Sequence, residues 1–180
     1  MIEDDVVWEF DGGEGRLDVL MALVSQQLRV VDQLLPEETE DPLARLAAEL
    51  SERPVELLDS NPVLARLFPP AMADATEADQ FRRDAISQQA RARLEAGRVV
   101  LADCAVADGE MVAVSEDHLP AWITTLAGLR AAWNVELTGS SERVAIATRG
   151  DARSNPTAAA ICDWLGWLQE DAVQARMFLL

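Results

Sequence analysis

The chain has 180 residues, of which 15 are arginine, 32 are acidic, one is histidine and none is lysine, for a formal charge of −17. Hydrophobic residues make up 49%, enough for a core without disulfide or metal staples and too many for a disordered chain. Lysine chemistry and multi-histidine metal centres are excluded, and the negative charge disfavours direct binding to nucleic acid.

Val6-Val7-Trp8-Glu9-Phe10 is a β-prone run closed by the turn signal Asp11-Gly12-Gly13. From Arg16 to Leu35, Leu17, Leu20, Val24, Leu28, Val31 and Leu35 recur at three- and four-residue steps, which predicts an amphipathic helix ended before Pro36. Asp41-Pro42 and Asn61-Pro62 each set a capping side chain before a first-turn proline. They open two shorter helices, Pro42 to about Leu50 and Pro62 to Phe68, the second broken by Pro69-Pro70.

Thr76 with Asp79 resembles a capping box and starts the longest predicted helix, Glu77 to about Ala107. Its apolar stripe is Phe81, Ala85, Ile86, Ala90, Leu94, Gly97, Leu101 and Cys104, and Asp108-Gly109 stops it. Met111 to Val114 reads as a short extended segment. Ser115 is then expected to cap a helix to about Leu137, with Pro120 kinking its first turns. A short strand is expected at Val144-Ala145-Ile146. Asn155-Pro156 starts the last helix, whose stripe is Ile161, Trp164, Leu165, Leu168, Ala172, Ala175 and Leu179. The sum is an all-α bundle of five to six helices, with a short N-terminal extended segment and minor strands, in a single domain over residues 1–180.

The acidic N-terminus lacks the positive region of a signal peptide, and no uncharged stretch is long enough to span a bilayer, so the expected location is the cytoplasm. His118, after Glu116 and Asp117, reads as a solvated first-turn residue. No di-iron Glu-x-x-His pair, G-x-S-x-G or EF-hand spacing is present, and neither metal nor cofactor is expected. Arg82, Arg83, Arg91, Arg93 and Arg98 make the long helix locally basic, either paired with acids of the same chain or facing an acidic partner.

Cys104 and Cys162 lie on or beside the stripes of the long and last helices. They read as two buried, inert thiols or, alternatively, as a reversible disulfide between those helices. Such a bond would be worth about 4 kcal/mol in the chain-entropy picture before strain. The spacing is not that of a C-x-x-C redox motif. The terminal Met177-Phe178-Leu179-Leu180 is apolar, suited either to its own core or to a dimer seam.

Four segments carry a family resemblance: Phe68-Pro69-Pro70-Ala71, Glu77-Ala78-Asp79-Gln80-Phe81-Arg82-Arg83, Trp122 through Arg130, and Asp163-Trp164-Leu165-Gly166-Trp167-Leu168-Gln169-Glu170. They resemble an actinobacterial family long catalogued as of unknown function, that of the AosR-like oxidative-stress regulators, whose layout starts in a hairpin-like segment and ends in a Trp-Leu helix. The resemblance implies a non-enzymatic, redox-responsive transcriptional regulator that senses oxidation through cysteine thiols and acts with an RNA polymerase σ factor. On that reading Cys104 and Cys162 are the redox disulfide candidates, Arg82, Arg83, Trp164 and Trp167 the partner-binding candidates, and a homodimer the expected assembly. Two other readings stay open: a constitutive helical scaffold without redox sensing, and an enzyme with a carboxylate-bound metal.

Overall fold

The computed structural model describes residues 6–36, 40–43, 47, 53–69, 75–142 and 145–179, with the backbone alone for residues 53 and 75–84. The chain is mainly helical. Among the described residues the order is β1 (Val6–Asp11), α1 (Arg16–Asp32), α2 (Arg53–Ser60), α3 (Pro62–Leu67), α4 (Ala75–Ala105), β2 (Met111–Ser115), α5 (Leu119–Thr138), α6 (Arg149–Ser154) and α7 (Pro156–Met177).

β1 and β2 pair antiparallel, Trp8 opposite Val114 and Phe10 opposite Val112, with an irregularity between Val6 and Trp8. The expected hairpin-like start is therefore corrected: β1 finds its partner far along the chain, beyond the four helices α1 to α4. Period-two alternation turns Trp8, Phe10, Val112 and Val114 inward. They cover one core with Leu20, Leu23 and Val24 of α1, Val100 and Cys104 of α4, Trp122, Leu126 and Leu129 of α5, and Leu165, Leu168 and Ala172 of α7.

A second core joins the end of α1 to the α2–α3 hairpin and the middle of α4, through Val31, Leu34, Leu58, Leu64, Leu67, Phe68, Ile86, Ala90 and Leu94. Leu28 packs against both cores. It can do so because Gly97 of α4 has no side chain: a Cβ there would stand 2.5 Å from Leu28 Cδ2.

Local capping sets several helix starts. Asn61 Oδ1 accepts from the Val63 and Leu64 amides, and Asn155 Oδ1 from Ala158 N at 3.1 Å. Asp41 Oδ1 accepts from Leu43 N, as its spacing predicts, but the rest of the helix expected to about Leu50 is largely outside the described residues. Two helices were not read from the sequence: α2, and α6 with its Thr148–Asp151 capping box.

Ser115 is not a helix cap. It ends β2, and α5 begins at Leu119 with Pro120 in its first turn, where a missing N–H costs no helical bond. Likewise α4 is helical from Ala75, so Thr76 lies inside it. Ala145 and Ile146 form no strand, Ile146 being 86% exposed, while Val144 lies outside the described residues. Phe81 is also outside them as a side chain.

Gly12 fixes the joint between β1 and α1. Its N–H donates to Glu110 O at 2.8 Å and its carbonyl accepts from Leu17 N at 2.9 Å. A Cβ would meet Leu17 Cβ at 2.6 Å and Glu110 O at 2.9 Å, and neither is a flexible tip. Gly12→Ala is therefore expected to lose about 2 kcal/mol of stability in urea unfolding. Gly150→Ala is the control, since its Cβ meets only Thr148 Oγ1 at 3.4 Å. Equal stability of the two variants would overturn the account of the joint.

Candidate functional site

α7 presents two unlike faces. Leu165, Leu168 and Ala172 are buried, and Ile161, Trp164 and Ala175 pack partly against the same core. Trp164 stands 6.4 Å from the Phe10 ring, centroid to centroid, and so belongs to the inner side. Trp167, three residues on, is 62% exposed. Of the two tryptophans, Trp167 alone is displayed to solvent.

Beside Trp167 lies a shallow depression of about 530 Å³ between α5 and α7, lined by Arg130, Cys162, Asp163, Gly166, Glu170 and Val173 among others. Gly166 leaves room for the Arg130 guanidinium, whose Nε and Cζ would be 3.5 and 3.7 Å from a Cβ there. Arg130 Nη1 reaches Gln169 Oε1 at 3.4 Å. The half-buried Cys162 is free. Burial raises its pKa and the Asp163 carboxylate adds to this, while Arg130 pulls it back down.

Cys104 occupies a different environment. It is also free, 4% exposed, and part of the core beneath the sheet. Burial, with Asp103 adding like-charge repulsion, pushes its thiol up to about 12, against a smaller opposing effect of its own backbone hydrogen bond. Its charged neighbour is Asp103, whereas those of Cys162 are Asp163 and Arg130. The structure leaves the two thiols unpaired.

Next to Cys104, Asp103 is a buried carboxylate, 8% exposed. Oδ2 accepts from Trp122 Nε1 at 2.8 Å, and Oδ1 lies 2.8 Å from His118 Nδ1. His118 is thus not simply solvated: its side chain is 45% exposed and one ring nitrogen is held by Asp103. Trp122 in turn meets Trp8 edge-on at 5.3 Å, and Trp8 Nε1 donates to Asp171 Oδ2 at 2.8 Å. Two buried indoles are each held by one carboxylate, tying α4, α5, β1 and α7 together.

A family profile described as "Domain of unknown function (DUF2017)" matches residues 2–176. The chain belongs to this family. No curated protein and no solved structure matches it. The matched region of the DUF2017 chain takes in both cores and the Cys162 face.

Other expected site residues are distributed as follows. Arg82 and Arg83 lie on α4, but their side chains are outside the described residues. Arg98 is within 3.7 Å of Glu95 on the exposed side of α4. Arg93 is partly buried, donates to Leu67 O at 3.0 Å and lies 5.4 Å from the Phe68 ring centroid, and burial lowers its pKa. It is a structural cation rather than part of a displayed basic patch. Among the described residues no three His, Cys, Asp or Glu side chains group to hold a metal ion, and no helix is long and apolar enough to cross a membrane.

Sequence reasoning missed Asp103 and Arg130 as members of these sites. The only local signal for Asp103 is an acid beside an apolar stripe. Leu179, expected on the core stripe of the last helix, is 42% exposed, and Met177 and Phe178 are 65% and 87% exposed. Met177, Phe178 and Leu179 therefore do not tuck into the core.

Proposed function

We propose that this DUF2017 chain is a protein-binding regulator of the oxidative-stress response, as its likeness to the AosR-like regulators implies, acting on an RNA polymerase σ factor. The observation that carries the reading is the outer face of α7, where the exposed Trp167 and Arg130 flank Cys162. Tryptophan and arginine are the side chains that most often dominate protein interfaces. A strongly acidic chain also complements the basic DNA-binding regions of a σ factor.

Cys162 is the thiol better placed to sense oxidation, because Cys104 is buried, electrostatically opposed to ionising and remote from solvent. Hydrogen peroxide would take two electrons from the Cys162 sulfur, giving a sulfenic acid and water. A second thiol, Cys162 of another copy, then displaces the sulfenic oxygen as water and forms an intermolecular disulfide. The modified face no longer presents Trp167 in the same surroundings, so affinity for the partner changes.

The test is binding of the full chain to purified σ factors of its own cell, one at a time, before and after peroxide treatment. Trp167→Ala is expected to weaken the reduced complex at least about tenfold. Peroxide is expected to shift affinity in the wild type and in Cys104→Ser but not in Cys162→Ser. Binding to no σ factor in either state would overturn the regulator reading. Binding indifferent to peroxide would replace sensing with a constitutive scaffold, for which exposed Met177 and Phe178 offer the seam.

A further inference from the structure

We propose that the apolar end of α7, Met177-Phe178-Leu179, docks into the cleft between α1, the α2–α3 hairpin and α5 of a second copy of this chain. Met177 and Phe178 are 65% and 87% exposed and Leu179 is 42% exposed, three consecutive apolar side chains left in water. The cleft has about 660 Å³, room for the Phe178 ring and its neighbours. It does not admit the flank of a whole helix, about 10–12 Å across with its side chains. Its half-buried walls, Val30, Leu57, Val63, Ala132 and Trp133, are apolar.

The polar groups of the two surfaces are complementary. In the cleft, the Asn61 side-chain nitrogen, the Trp133 indole N–H and the Gln26 amide donate to no group among the described residues, while Asn61 Oδ1 is spent on the Val63 and Leu64 amides. The end of α7 offers the opposite. Leu179 N donates to Arg176 O, and the carbonyls of Met177 and Phe178 accept from no described residue. Donors without acceptors on one surface meet acceptors without donors on the other. At the rim, Glu136 has no cation and Arg176, next to Met177, has no acid among the described residues. Both are exposed, so that pair orients the tail and adds little affinity.

The tail does not reach the cleft of its own chain. Arg130 of α5 lies beside Gly166 and Gln169 of α7, whereas Trp122, earlier on α5, meets Trp8, which bonds Asp171. α7 therefore runs antiparallel to α5, and its end leaves past the start of α5. The cleft is built on Leu129 to Glu136, toward the other end of α5. Two copies related by a two-fold axis each lend a tail to the other and close a dimer. Neither tail nor cleft shares a residue with the Cys162 depression, so the docking does not depend on a partner there.

Sedimentation velocity of the full chain over a concentration series, in reductant that keeps Cys162 from cross-linking, tests the docking. The wild type is expected to dimerise, and Phe178→Asp to dimerise at least about tenfold more weakly. Phe178 supports no core, so the variant is expected to keep the wild-type circular dichroism and urea midpoint. Ile146→Asp, at an equally displayed apolar residue (86% exposed), is the control and is expected to leave the dimer intact. Two chains of charge −17 repel each other, so added salt is expected to tighten the dimer. In NMR spectra, dilution is expected to move the Trp133 indole signal of the wild type and not that of Phe178→Asp. A monomeric wild type, equal dimerisation of the wild type and Phe178→Asp, or equal loss in Phe178→Asp and Ile146→Asp would each overturn the docking. So would a dimer that salt dissolves, or a Trp133 signal that stays fixed while the wild type dimerises.

Discussion

Trp122→Ala is expected to cost about 4–5 kcal/mol in equilibrium unfolding, and Trp122→Phe about 2–3 kcal/mol. The ring is fully buried and touches the sheet through both Trp8 and Phe10, at centroid distances of 5.3 and 6.0 Å. Removing it opens a cavity that α4, α5 and the sheet cannot close together. Phenylalanine fills most of that space and isolates the second contribution, the bond from Nε1 to Asp103 Oδ2 at 2.8 Å. Losing that donor strips a nearly buried carboxylate of one of its two partners, which costs more than an average hydrogen bond. Asp103→Asn is the milder control, because an amide oxygen still accepts from Trp122 and the loss is expected near 1 kcal/mol. Urea midpoints of the three variants check the order. A Phe variant as stable as the wild type would sink the claim that the carboxylate–indole bond holds the core.

Much of the helical framework is legible locally, because a cap is a contact between residues two or three apart. Asn61, Asn155 and Asp41 announce helix starts in this way, and all three accept the expected amides. The inward stripes of α1, α4 and α7 are equally readable, since burial follows from a period that one strand of sequence displays. Pro120 and Ser115 misled for a definite reason. A proline can sit in a helix's first turn without kinking it, and the strand extends through Ser115, leaving no place for a cap.

What no window of sequence contains is the pairing of β1 with β2, or the meeting of Asp103 with His118 and Trp122 from different elements. These depend on where whole helices lie. Trp164 and Trp167 show the limit most plainly. Helical phase separates them, placing Trp164 on the stripe and Trp167 off it. Only packing against Phe10 shows that the first tryptophan is a core residue and the second is displayed. The resemblance located the segments, but the assignment of thiols to roles had to come from their surroundings.

Those surroundings lead to a sharp expectation for thiol chemistry. At pH 8 iodoacetamide is expected to modify Cys162 in the folded chain, whereas Cys104 reacts only when the chain opens in urea. Thiolate is the nucleophile, and raising a thiol from 9.0 to about 12 cuts its thiolate fraction about a thousandfold before exclusion of the reagent is counted. The same shift sets a pH dependence of stability. The folded state favours the neutral thiol, so its contribution is fully present below pH 9, where the unfolded thiol begins to ionise. It is lost as pH rises toward about 12, because the unfolded chain releases the proton first. Cys104→Ala is therefore expected to lose less stability than the wild type between pH 8 and pH 11, while Cys162→Ala follows the wild type more closely. Arg130→Ala is expected to slow Cys162 labelling further, since Arg130 supplies the influence that lowers that thiol's pKa. Mass spectrometry of the labelled peptides separates the two sites. Comparable labelling of Cys104 and Cys162 in the folded state would show that the core opens far more readily than its packing implies, and would remove the reason for assigning oxidation to Cys162.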